Sequence, residues 1–174
     1  MPKRPVSPAR KITYGAAGSA LIVLLLAVST LIPTLDLTLA ALAALVLYIL
    51  LLEMGKGSAL TAYAVGTILA FLLLPEKSSA CFFLVFFGWY PFLREAVKLL
   101  PLWLSRAVKL AAAILAAGLF CLLFVVLFPM PEFFDLLRPA VALLFLAVFV
   151  LYDLGLSKLL IFYERVLRPK IIRK

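Results

Sequence analysis

The 174-residue chain contains no histidine. That absence removes the commonest metal ligand and the commonest proton shuttle together. Cysteine is nearly absent too. Cys81 and Cys121 stand far apart, neither in a C-x-x-C pair, and both lie within apolar runs. They are expected to be small buried hydrophobes, not a disulfide or a metal clasp. Acid is scarce, with eight Asp and Glu in all. No Walker-type phosphate loop, no G-x-S-x-G and no H-E-x-x-H occurs. Neither a metal, another cofactor nor a catalytic residue is expected, and the chain is read as a non-enzyme.

What is abundant is apolar surface: 67% of the residues are hydrophobic. A soluble domain of this size would expose large apolar patches at that composition, whereas lipid can solvate them. Six long apolar stretches stand out, at residues 12–33, 37–52, 58–75, 79–93, 107–128 and 136–152. A span needs about 20 apolar residues to cross a hydrocarbon core of ~30 Å. The reading is therefore an all-α polytopic membrane protein with six transmembrane helices. Residues 1–11 form a basic tail, 12–155 the six-helix domain and 156–174 a basic amphipathic segment. The first stretch is long enough to span and no A-x-A site follows it, so it is read as a span and not a cleaved leader.

The basic residues are sorted by side. Numbering the gaps alternately inside and outside collects Lys3, Arg4, Arg10, Lys11, Lys56, Arg94, Lys98, Arg106, Lys109, Lys158, Arg165, Arg168, Lys170, Arg173 and Lys174 inside. Only Lys77 and Arg138 fall outside. Positive charge is retained on the cytoplasmic face, so both termini are placed in the cytoplasm and the protein in the cell membrane. The net charge of +9 then has its cause in topology and anionic headgroups, and membrane lipid, not nucleic acid, is the expected partner.

Charge inside a span costs at least ~2.5 kcal/mol at mid-bilayer and marks function where it occurs. Here Glu53, Lys109 and Asp153 all fall near helix ends. That excludes an ion-coupled pump or proton relay. No span carries a polar stripe, which excludes a channel, and no inverted repeat is present.

The fourth stretch is aromatic and meets Pro91, which is expected to kink it. Residues 91–104 then read as a bent amphipathic connector on the inner interface, with Trp89, Tyr90 and Trp103 at headgroup level. Within it Glu95 and Lys98, three apart, are expected to pair. Arg94 and Lys98, four apart, share a face and need a carboxylate or phosphate between them. After Asp153, Leu156, Leu159, Leu160, Tyr163, Val166 and Leu167 recur at helical spacing opposite Ser157, Lys158, Glu164, Arg165 and Arg168, the pattern of a C-terminal interfacial helix. The turn 75–79 offers serine N-caps, and the turn 53–57 is glycine-rich, as expected at a reversal.

Small residues cluster at the start of the first stretch: Gly15, Ala16, Ala17, Gly18, Ser19, Ala20. Ala16/Ala20 and Gly15/Ser19 are small-x-x-x-small pairs that let helix backbones approach closely. The third stretch offers Ala62, Gly66 and Ala70, and the fifth Ala112/Ala116 and Ala113/Ala117.

With Ala16-x-x-x-Ala20 in the first of six spans and both termini inside, the chain resembles the S components of energy-coupling factor (ECF) transporters. The stretch Phe87-Gly88-Trp89-Tyr90-Pro91-Phe92-Leu93-Arg94 and the tail around Tyr152-Asp153 also resemble a group of small bacterial membrane proteins without an assigned role. The S-component resemblance implies a subunit that binds a vitamin or other micronutrient from outside and docks, through its first helix, on a transmembrane coupling subunit driven by two ABC ATPases. On that reading Ala16, Ala20, Arg94 and Lys98 face the partner. The solute site is expected in the outer half, under the loops 33–36, 75–79 and 129–138, with Asp36, Lys77, Phe82, Phe83, Asp135 and Arg138 lining it. Polar groups are sparse there, so the solute would be small and largely apolar. Two other classes stand beside this one: a non-catalytic accessory subunit of a larger bacterial membrane complex, and an inner-leaflet lipid-modifying enzyme using Arg94, Glu95 and Lys98 on phosphates.

Overall fold

The computed structural model describes residues 7–127, 143–144, 147–159 and 165. The chain divides into two compact units, Met1–Leu122 and Leu123–Lys174. Among the described residues all regular structure is helical.

Helix α1 covers Pro8–Leu31. Pro8 sits in its first turn, where the missing N–H costs no hydrogen bond. A single 3₁₀ turn, Pro33–Leu35, leads into α2, Asp36–Met54. Asp36 opens α2, where a carboxylate meets the positive end of the helix dipole. The chain then reverses at Gly55, whose φ of 90° is the only positive value among the described residues. That left-handed conformation suits a residue with no Cβ, and it starts α3, Lys56–Leu73, at once. The expected glycine-rich reversal is thus realised at one glycine, since Gly57 already lies inside α3.

Among the described residues, five helical segments are long and apolar enough to cross a membrane: Ala9–Leu31, Asp36–Met54, Lys56–Leu73, Ser78–Val97 and Leu102–Phe120. The protein is a helical, multi-pass membrane protein. The expected sixth span, 136–152, lies outside the described residues except at 143–144 and 147–152, which are helical. That helix continues through Asp153 to Leu159, and the rest of the amphipathic tail, Arg165 apart, lies outside the described residues.

In the first unit α1, α2 and α3 pack around small side chains. Ala40, Ala43 and Ala44 of α2 and Ala59 and Ala70 of α3 are fully buried, beside Ile22 and Leu26 of α1. Leu50 of α2 packs on Gly18 of α1, and Ile22 of α1 packs on Gly66 of α3. With no apolar surface to hide from lipid, such helices associate by close van der Waals contact, which small residues permit. Large aliphatic residues such as Ile12, Leu72 and Leu115 stay exposed, as a lipid-facing surface requires.

The fourth span departs from the sequence reading. It comprises a short helix α4, Ser78–Phe82, a π-helical turn, Phe83–Phe87, and α5, Tyr90–Val97. The break falls before Pro91, not at it. Pro91 lies in the first turn of α5, where proline is tolerated. The expected connector 91–104 is correspondingly shortened. α5 is amphipathic, burying Tyr90, Pro91 and Val97, but it completes the fourth span. Helix α6 begins already at Leu102 and runs to Leu127. Trp103 is exposed as expected at its start, whereas Tyr90 is fully buried and cannot mark the headgroup level.

Candidate functional site

The two ends of the first unit differ in chemistry. At one end, α2 and α4 begin side by side, and Ser78 Oγ donates to Asp36 Oδ2 at 3.0 Å. The serine hydroxyl therefore ties two helices together. No side chain caps α4, whose N-cap is Lys77. Lys77 Nζ donates to the carbonyls of Phe71 and Leu74 at 2.5 and 2.6 Å. These are carbonyls at the end of α3 that lack a helical partner, and a cation there is favoured by the dipole. Phe82 stacks on Phe120 of α6 at 4.8 Å between centroids, and Phe83 is fully buried and tilted against Tyr63 at 5.7 Å. Asp36, Lys77, Phe82 and Phe83 thus hold helices together. Asp135 and Arg138 lie outside the described residues. Asp36 Oδ1 and Ser79 Oγ are buried without a hydrogen-bond partner.

At the opposite end the expected Glu95–Lys98 pair forms, with Nζ and Oε1 2.5 Å apart. A third member joins it from another helix: Tyr48 Oη of α2 donates to the same Glu95 Oε1 at 3.0 Å. The Arg94 guanidinium lies 5.9 Å from the centre of the Tyr48 ring, within cation–π range. Two like charges on one face are thereby separated, one held by a carboxylate and the other over an aromatic face. Sequence reasoning missed Tyr48. The available signal was a lone tyrosine in an otherwise aliphatic helix, because a buried phenol needs a hydrogen-bond partner.

Ala16 and Ala20 are both exposed on α1. They line an open groove of about 720 Å³ between α1 and α3, with Lys11 and Gly57 at one end and Leu69 at the other. A smaller groove of about 240 Å³ lies between the fourth span and α6, lined by Trp89, Ala112 and Ala116 among others. Of the two grooves, the one beside Ala16 and Ala20 is the larger and carries the pair on which the S-component resemblance rests, while the smaller carries the Ala112/Ala116 pair. No family model, curated protein or solved structure matches the chain.

Proposed function

We propose that this chain is a non-catalytic, multi-pass subunit of a larger membrane assembly, docking through α1 in the manner of an ECF-transporter S component. The observation that carries this reading is the exposure of Ala16 and Ala20 on the wall of the α1–α3 groove. A small side chain facing lipid gives up apolar contact that a larger one would make. A small pair beside an open groove instead leaves room for another backbone. The full topology in this reading has six spans with both termini in the cytoplasm of a bacterial cell, supported by the 15-to-2 sorting of basic residues. The partners would be a transmembrane coupling subunit and its ATPases, with a small, largely apolar solute bound from outside.

A second reading, an accessory subunit that binds no solute, is favoured by one specific observation. Asp36, Lys77, Phe82 and Phe83 are each engaged in bonds or ring contacts within the bundle. Purification in mild detergent with mass spectrometry of co-purifying proteins and small molecules decides between the two. An ATPase-driven partner with a bound solute supports the S-component form. A partner complex without solute supports the accessory form, and a monomer carrying neither overturns both.

A further inference from the structure

The α1–α3 groove has the dimensions of one lipid leaflet. On α1 it runs from Lys11 to Ala20 and on α3 from Gly57 to Leu69, which at 1.5 Å rise per residue is ~14 Å and ~18 Å. Half of a ~30 Å hydrocarbon core is ~15 Å. The groove starts at the end of the bundle where Arg10, Lys11 and Lys56 stand, and all three are exposed. An acyl chain needs only about this depth.

The walls fit a chain and not a polar solute. Two of the hydroxyls along them are turned onto their own helices: Ser19 Oγ donates to Gly15 O at 2.9 Å, and Thr61 Oγ1 to Ser58 O at 3.0 Å. The mouth is different. Lys11 lines it, and its ammonium has no hydrogen-bond or ion-pair partner among the described residues. An apolar slot one leaflet deep, with an uncompensated ammonium at its mouth, is complementary to an anionic phospholipid. Basic pockets between helices on the cytoplasmic side bind such headgroups.

We infer that the α1–α3 groove holds an anionic phospholipid, its phosphate at Lys11 and one acyl chain along Ala16 and Ala20. This stands on the groove itself and not on the docking proposal. If a partner also uses that face, it must displace the lipid or enclose it.

The test is native mass spectrometry of the full chain, purified and exchanged into equal amounts of phosphatidylglycerol and phosphatidylcholine with matched chains. Selective retention of phosphatidylglycerol is expected. Lys11→Gln should reduce that selectivity about fivefold, the effect of roughly one basic residue near an anionic surface, and Lys11→Arg should restore it. Arg106→Gln, a basic position that does not line the groove, should leave it unchanged. Ala16→Leu should lower retention of both lipids by filling the slot. Equal retention of the two lipids by the native chain overturns the inference. So does an equal loss in Arg106→Gln and Lys11→Gln, which would mean a diffuse basic surface. Photocrosslinking from position 16 of the purified, partner-free chain in phosphatidylglycerol that captures no lipid would also overturn it. Loss of lipid selectivity leaves partner co-purification unaffected, so the two proposals fail separately.

Discussion

Tyr63 Oη donates a hydrogen bond to the carbonyl of Leu84 at 2.9 Å, joining α3 to the π turn of the fourth span. A π turn moves each donor one residue on, and here Gly88 N–H donates to Phe83 O at 2.7 Å. Carbonyls beside such a turn lose their usual i+4 partner, and in a membrane they cannot turn to water. Tyr63 satisfies one, and the Trp89 indole N–H donates to Val85 O and satisfies the next. The Tyr63 ring reaches its place because Gly88 has no side chain. A Cβ there would collide with the ring and stand 2.8 Å from Phe83 O.

The turn, the tyrosine and the glycine therefore act as a unit. Gly88→Ala is expected to destabilise the protein by about 1–3 kcal/mol through overpacking. Tyr63→Phe should cost about 1 kcal/mol by leaving the Leu84 carbonyl unpaired. Thermal unfolding in detergent measures both. In Tyr63→Ala, Gly88→Ala should cost clearly less than in the native background. Independent, additive losses would show that the close approach does not matter.

Glu95 accepts from two donors, and Lys98 serves one carboxylate. Glu95→Ala is therefore expected to destabilise more than Lys98→Ala, because it also leaves the fully buried Tyr48 hydroxyl without this acceptor. Tyr48→Phe should cost about 1 kcal/mol. A double-mutant cycle between Tyr48→Phe and Glu95→Ala should show coupling, and its absence would mean that the inter-helix bond contributes nothing.

The topology is checked by single cysteines in a background lacking Cys81 and Cys121. Thr34→Cys and Glu76→Cys should react with a membrane-impermeant thiol reagent added to intact cells. Gly57→Cys, at the basic end, should react only after the cells are opened. Labelling of position 57 from outside would reverse the assignment.

Docking through α1 predicts that Ala16→Leu and Ala20→Leu abolish co-purification of the partner while the isolated chain keeps its melting temperature. Both positions are exposed, so the added bulk meets lipid and not the core. Misfolding of both variants in isolation would place the pair in internal packing instead.

Some of this was legible in the residues alone. The membrane, the helices and the sorting of charge follow from composition, since a run of about 20 apolar residues spans a bilayer whatever it packs against. The Glu95–Lys98 pair was legible because three residues apart on one helix is a local relation. The reversal at Gly55 was legible because glycine-rich turns end helices.

What the sequence could not mark is which helix faces meet. In a soluble helix a polar stripe distinguishes outside from inside, but here lipid and protein interior are equally apolar and the stripe vanishes. So Lys77, read as a ligand group, caps α3, and Ser78, read as a cap, binds Asp36, 42 residues away. Tyr48 meets Glu95 across 47 residues, and Tyr63 meets Leu84 across 21. Even the break in the fourth span was read at Pro91 although it lies earlier, because only the packing of Tyr63 on Gly88 and the carbonyls it satisfies make a π turn stable there. The chain's chemistry chose the membrane and sorted the basic residues along the sequence. The pairing of polar groups between helices was settled only by which backbones approached closely enough, and that is a property of the packed bundle.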